Sequence, residues 1–324
     1  MLNRTLTIEV ARVTEAAAIE AAKWRGRGDE RGAHMAAVSV MHEALDKLDI
    51  AGEVVVGEGE KVAADHLWLG ERLGAGGMEV DIATAPLEGV TLAAKDLSDA
   101  LSVCAVAERG TLMRAPRCYM DKIAIGGDYP EDLVDLDLPP AENLKRLAEA
   151  KGVPIGDITV CILDRPRHMR LIDEVREAGA AIRLITDGDI AGIIHVTDPD
   201  ETGIDIYMGS GGAPEGVLAA AALACIGGQM QTRLVVRSRE DAKAIAEAGI
   251  EDPQRKFTLS DMVRGDVIFA ATGVTDGSML RGVRVRRGYV STHSVAMRAK
   301  TGTVRWSRAR RRIDASGNLL NGVV

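Results

Sequence analysis

Aromatic side chains are scarce in this sequence: Phe, Tyr and Trp together make up 3% of its 324 residues. The interior must therefore be filled by aliphatic and small side chains. Ala and Gly are abundant, which suits close packing of helices on sheets. Hydrophobic residues still amount to 46%, enough for a sizeable core. No apolar run approaches the ~20 residues that span a bilayer, so no membrane association is expected. The opening residues lack the apolar core of a signal peptide, and the expected location is the cytoplasm. An excess of positive charge is also absent. The formal net charge is -8, which removes the basic footprint of a nucleic-acid-binding chain. Cys104, Cys118, Cys161 and Cys225 share no CxxC spacing, and three of them sit in apolar runs. That distribution reads as reduced, buried thiols and argues against a disulfide framework or a zinc site. The serine-hydrolase pattern Gly-x-Ser-x-Gly is missing. The Gly-rich stretches at 74–77 and 209–212 lack the full glycine fingerprint of a dinucleotide site.

What is present reads as an α/β protein of about two domains. Residues 3–24 form an amphipathic helix pattern with Leu6, Val10, Val13 and Ala17 on one face. A second helix is expected over 33–48, and a strand over 53–56 that ends in Gly57-Glu58-Gly59-Glu60. The stretch 92–105 fits either a helix or a buried strand. The Asp- and Pro-rich stretch 129–140 is the best boundary, dividing the chain into 1–140 and 141–324. Beyond it, helix and strand patterns alternate from 141 to 208, which argues for a mostly parallel, layered sheet. Further strands are expected at 233–236 and 267–271, and helices at 239–248 and 259–263. Residues 282–312 read as a β-meander. Its basic run of Arg308, Arg310, Arg311 and Arg312 reads as a solvated edge strand.

Three carboxylates share a setting that suits chemistry. In the stretch 80–91, Pro86 stops a strand and Gly89 permits a tight turn, so Glu88 is presented on a loop at a strand end. Functional groups of α/β proteins gather there, although a solvated turn is the competing reading. Glu58 and Glu215 lie in similar Gly- or Pro-rich contexts. Carboxylates from separate loops, together with a substrate phosphate, are what Mg²⁺ takes as ligands. Two such cations can activate a water and stabilise a leaving oxygen in phosphoryl transfer. Gly209-Ser210-Gly211-Gly212 precedes a helix that Pro214 suits in its first turn. Its backbone N–H groups either receive an anion or serve only chain reversal. Arg165 and Arg167 follow a strand, as a second phosphate site or a surface charge cluster. Asp187 and Asp189 follow another strand, to accept sugar hydroxyls, with Asp189 equally suited to cap the next helix. His34 and His66 pair with no nucleophile in the sequence and read as structural.

Several motifs together resemble the class II fructose-1,6-bisphosphatase (GlpX) family. They are Val56-Gly-Glu-Gly-Glu60, Ala115-Pro-x-x-Tyr-Met-Asp-Lys122, Arg165-Pro-Arg-His168, Asp187-Gly-Asp189, Gly211-Gly-Ala-Pro-Glu-Gly216 and Phe269-Ala-Ala-Thr-Gly273. The resemblance runs over nearly the whole chain. It implies a layered αβαβα sugar-phosphatase fold of the lithium-sensitive-phosphatase kind, a homo-oligomer, and a role in gluconeogenesis and glycerol metabolism. It implies Mg²⁺- or Mn²⁺-dependent removal of the 1-phosphate of fructose 1,6-bisphosphate. Glu58, Glu88 and Glu215 would be metal ligands, with Glu88 and Glu215 at the catalytic centre. Tyr119, Arg165, Arg167, Asp187, Asp189, Gly209, Ser210 and Gly211 would contact the sugar bisphosphate.

The chain departs from the family pattern around the expected metal. Where the family shows Asp-Pro-(Ile/Leu)-Glu-Gly-Thr, this sequence has Ala85-Pro-Leu-Glu88-Gly-Val90. Ala85 replaces a ligand Asp, Val90 replaces a Thr that helps orient the attacking water, and His34 stands at a further ligand Asp. Val62 and Ala63 replace an acidic pair, and Ser210 replaces the Ile of a Gly-Ile-Gly turn. Two readings follow. One is a working bisphosphatase with an altered metal site, suited by His34 to Mn²⁺ or Zn²⁺ rather than Mg²⁺ and with Glu60 or Asp81 as substitute ligands. The other is a non-catalytic paralogue that binds sugar phosphate or co-assembles with an active subunit. Fructose and sedoheptulose bisphosphates are not distinguished.

Overall fold

The computed structural model describes residues 2–314 together with Leu319 and Leu320. Tertiary contacts divide the chain into two units, one of Met1–Leu112 and Gly265–Val324, the other of Met113–Arg264. The boundary expected at residue 140 falls inside the second unit. The Asp- and Pro-rich stretch there is no free linker. Backbone N–H groups of Leu133 and Leu136 donate to the side chains of Gln229 and Gln231 at 3.1 and 2.9 Å, which fastens the loop to its own unit.

The first unit begins with two helices, α1 (Leu6–Ala22) and α2 (Glu30–Asp46). The apolar face of α1 read from the sequence is buried as expected. Asp29 caps α2, accepting from the Gly32 N–H at 2.8 Å. Then come β1 (Ile50–Val56), β2 (Arg72–Leu73), β3 (Met78–Glu88), α3 (Val90–Ala94) and β4 (Leu101–Glu108). The ambiguous stretch at 92–105 is thus the end of one helix and the start of a strand. Asp96 and Asp99 break it, with φ of 53° and 73° in the left-handed region that Asp tolerates.

The second unit runs β5 (Tyr119–Ile125), α4 (Pro140–Lys151), β6 (Thr159–Leu163), α5 (Met169–Glu177), β7 (Ala181–Ile185) and α6 (Asp189–Ile194). It continues with α7 (Pro199–Thr202), β8 (Ile206–Gly212), α8 (Ala213–Ile226), β9 (Gln229–Val235) and α9 (Arg239–Glu247). The short β10 (Phe257–Thr258) and α10 (Leu259–Met262) complete it. Helix α8 is apolar on nearly every side and correspondingly buried, with Ala219, Ala220, Ala221 and Ala222 fully enclosed. The chain then returns to the first unit for β11 (Val267–Gly273), β12 (Arg284–Arg286), β13 (Tyr289–Arg298) and β14 (Thr303–Arg312).

Each unit holds one mixed sheet. The first has strand order β12-β13-β11-β4-β3-β1-β2, with β14 paired to β13. Only β1 and β3 run parallel in it. The second has order β10-β9-β5-β8-β6-β7, with β6 parallel to both β7 and β8. The strands that alternate with helices over 141–208 are parallel as expected, β6 with β7 and with β8, whereas every other strand pair except β1–β3 is antiparallel. Short connections such as the turn at 299–302 between β13 and β14 are too brief for the crossover a parallel pair requires. The meander over 282–312 forms as expected. Its basic run lies on β14, which pairs with β13 alone and is largely exposed.

Candidate active site

In the first unit, β1 and β3 lie side by side in parallel, with Val56 opposite Ala83. Glu58 follows β1 and Glu88 ends β3, so both carboxylates leave the sheet at the carboxyl ends of neighbouring strands. Pro86 cannot donate to the ladder, and the register between β3 and β4 shifts between Ala85 and Glu88. Gly89 then turns the chain into α3 with φ 75°, a conformation that favours glycine. His34 projects from the first turns of α2, with Nε2 2.7 Å from a Glu58 carboxylate oxygen. That hydrogen bond raises the imidazole pKa, outweighing the opposing effect of burial. The other ring nitrogen, Nδ1, is buried without a hydrogen-bond partner.

His34 and Glu58 are in direct contact, with the second His34 ring nitrogen buried and unsatisfied, a nitrogen-and-carboxylate pair that suits a divalent cation, and Glu88 ends the strand next to the one that leads into Glu58. Ala85 supplies no donor atom and Val90 no hydroxyl. Asp81, considered from the sequence as a substitute ligand, is committed elsewhere. It is buried within β3 and accepts from the N–H groups of Thr111 and Leu112 at 3.0 and 3.2 Å. Glu60 is exposed on the following loop.

In the second unit, Tyr119, Arg167, Gly209 and Ser210 line a cleft of about 1050 Å³. The guanidinium of Arg237 lies 3.8 Å from the Tyr119 ring centroid and that of Arg167 lies 4.9 Å away. Arg167 is further fixed by donating from Nε and Nη2 to the Ser210 carbonyl at 3.0 and 2.7 Å. Two guanidiniums held on one aromatic ring place positive charge on the cleft wall, chemistry that suits an anion. Behind them, His168 donates from Nδ1 to the Leu163 carbonyl at 2.7 Å and accepts the Ser210 N–H on Nε2 at 2.8 Å. Burial depresses its pKa, and only the neutral ring can make both bonds.

The glycine-rich stretch at 209–212 is corrected from a turn to a strand. It completes β8, pairing with β5 from Lys122 opposite Gly209 to Tyr119 opposite Gly212. Its Ser210 N–H is already taken by His168 and is not offered to an anion. The glycines permit close approach instead: a Cβ on Gly211 would come within 2.2 Å of the Asp189 carboxylate. Asp189 is no helix cap, since Gly188 holds that position. Both its oxygens are engaged, by the Lys122 ammonium and the Tyr207 hydroxyl, all three side chains being buried. Burial, reinforced by the adjacent carboxylate, pushes the Tyr207 phenol well above its usual pKa. Lys122 also donates to the Gly212 carbonyl at 2.7 Å. Asp189 thereby fastens α6 to β5 and β8.

Arg165 and Asp187 follow the parallel neighbours β6 and β7, 3.9 Å apart, and do not line the cleft. Glu215 stands in the first turn of α8, folded back so that a Cβ on Gly212 would lie 1.8 Å from its Oε2. Arg237 and Tyr207 were not singled out from the sequence. Neither carries a motif signal, and only strand pairing brings them here. All four cysteines are free and buried. Burial pushes the Cys104 thiol up to about 12 and that of Cys118 to about 11, which leaves them inert.

Strand-end carboxylates in one mixed sheet and an arginine-bordered cleft beside another are features of a layered α/β phosphatase. The comparisons are specific: the family described as bacterial fructose-1,6-bisphosphatase, glpX-encoded, matches residues 4–311, and the chain belongs to that family. A protein of Haemophilus influenzae named fructose-1,6-bisphosphatase class 2 is 39% identical, covering 99% of this chain and 100% of that protein. A Synechococcus protein named D-fructose 1,6-bisphosphatase class 2/sedoheptulose 1,7-bisphosphatase is 38% identical over 94% of this chain and 95% of its own length. Two mixed sheets with flanking helices are what the αβαβα phosphatase fold of this family requires. Among the described residues no helix is long and apolar enough to cross a membrane.

Proposed function

We propose that this chain is a divalent-metal-dependent sugar bisphosphatase that removes the 1-phosphate of fructose 1,6-bisphosphate, working in the cytoplasm as a homo-oligomer. The observation that carries the reading is the family match over residues 4–311 together with Glu58 and Glu88 at the carboxyl ends of adjacent parallel strands. Glu58, Glu88 and His34 would hold the cation, with Glu215 assigned as a further ligand on the family resemblance. An imidazole in the set favours Mn²⁺ over Mg²⁺. When bound, the cation would supply charge neutralisation at the phosphoryl group and a more acidic water. Arg167 and Arg237, held around Tyr119, would grip a substrate phosphate. Lys122, Tyr207 and Asp189 would fix the strands that carry these groups. On the family resemblance alone, Arg165 would meet a second phosphate and Asp187 the sugar hydroxyls.

The departures at His34, Ala85 and Val90 supply the decisive test. The triple substitution His34→Asp, Ala85→Asp and Val90→Thr restores the donors and hydroxyl of the family pattern. Phosphate release should rise by more than tenfold and shift toward Mg²⁺, since each lost transition-state contact of about 1.4 kcal/mol is worth a factor of about ten. No release by either protein, with fructose bisphosphate still raising the melting temperature, would favour the sugar-phosphate-binding paralogue instead.

A further inference from the structure

The loop from residue 57 to residue 71, which joins β1 to β2, is folded back on itself. The Glu58 N–H donates to the Leu67 carbonyl at 2.9 Å, and the Leu69 N–H donates to the Gly59 carbonyl at 2.7 Å. The same loop brings His66 and Glu71 against His42 of α2. One ligand atom from each of the three side chains lies within 4.8 Å of the others. His42 Nε2 stands 3.3 Å from a Glu71 carboxylate oxygen. The His42 and His66 rings stack at 4.1 Å between centroids with 29° between planes. The other Glu71 oxygen accepts from the Leu67 N–H, which orients the carboxylate. The His42 and Glu71 side chains are 21% and 12% exposed, sheltered yet reachable by an ion.

We infer that His42, His66 and Glu71 form a second metal site, distinct from the Glu58, Glu88 and His34 set, that takes a zinc-class divalent cation. Two imidazoles and one carboxylate suit Zn²⁺ or Co²⁺ and are poor ligands for Mg²⁺ or Ca²⁺. Zinc bonds of about 2.0–2.2 Å in a tetrahedral arrangement put ligand atoms about 3.4 Å apart, and the His42–Glu71 pair already stands at 3.3 Å. His66 already lies close enough that a change of its side-chain rotamer alone would bring the third ligand in. The Leu67 amide plays the part of the outer partner that holds a ligating carboxylate in place. The absence of CxxC spacing speaks only to thiolate sites. These three residues are too widely spaced to signal a site in sequence. The ion would clip the loop that carries Glu58 onto α2, a structural role independent of the proposed activity.

The test uses the whole chain, stripped of metal by a chelator and titrated with zinc chloride. The wild type should bind one equivalent more zinc than His42→Ala and His66→Ala, or bind that equivalent at least about tenfold more tightly. Its melting temperature should rise with zinc by more than theirs. Glu88→Gln should keep this equivalent. Zinc should also shield His42 and His66 of the wild type from diethylpyrocarbonate, read by mass spectrometry, which needs no variant to fold. Equal zinc binding by wild type and both histidine variants, or equal modification of the two rings with and without zinc, would overturn the site and leave a hydrogen-bonded cluster only.

Discussion

Gly211 and Gly212 are neighbours on one strand, and replacing each should do different things. A Cβ on Gly211 meets Asp189 at 2.2 Å, and Asp189 is held by Lys122 and Tyr207 with no room to retreat. Gly211→Ala should cost about 1–3 kcal/mol of stability as an overpacked site, read by chemical denaturation. A Cβ on Gly212 meets only the far end of the flexible Glu215 side chain, at 1.8 Å. Gly212→Ala should leave stability within about 0.5 kcal/mol and lower phosphate release by displacing Glu215. Equal stability losses in the two variants would contradict this assignment. His168 carries a pH signature. Burial lowers its folded pKa below the unfolded value, so the unfolded chain takes up the proton first as pH falls. The stability from neutral His168 is complete above about pH 6.5 and is lost as pH falls from there through the folded value. His168→Gln should flatten the stability-versus-pH curve below about pH 6.5, and an unchanged slope would remove His168 from that role.

At the scale of elements, Asp266 and Arg298 join the start of β11 to the end of β13. Their nitrogen and oxygen atoms lie 2.6 Å apart, with both side chains under a tenth exposed. Arg298 also donates to the Leu2 carbonyl at 2.7 Å, tying down the start of the chain. Asp266→Ala leaves a buried guanidinium unpaired and should cost about 3–5 kcal/mol in chemical denaturation. Elements with strong periodicity were legible from sequence: the Leu6, Val10, Val13 and Ala17 face of α1 and the alternation of β13 and β14. The end of β8 was not legible. Gly-Ser-Gly-Gly reads as a turn locally, and its pairing with β5, nearly ninety residues earlier, is what keeps it extended. The helix-to-strand break at 92–105 rests on Asp96 and Asp99 in left-handed geometry, which an apolar-run reading passes over.

At the scale of the molecule, the family could be read from scattered motifs, yet the division of the chain could not. The first unit closes only because β11 returns to pair with β4, Ala270 opposite Cys104, a contact no local pattern announces. The carboxylates Glu58 and Glu88 were legible because glycines follow β1 and β3, whereas Pro86 does not stop its strand as expected but lies inside β3 at a register shift. The meeting of His34 with Glu58 was implied only by the family resemblance, and the His42, His66 and Glu71 cluster was not legible at all, because α2 and the loop after β1 meet only in the fold. The central claim is metal-dependent hydrolysis centred on Glu88. Its most direct test is inorganic phosphate release from fructose 1,6-bisphosphate in Mn²⁺ by the wild-type chain and by Glu88→Gln. The account predicts release by the wild type, abolished by chelator and reduced at least about a hundredfold in the variant, a loss of about 2.7 kcal/mol in transition-state stabilisation. Release that survives the Glu88→Gln substitution unchanged, or none above blank from the wild type, would contradict it.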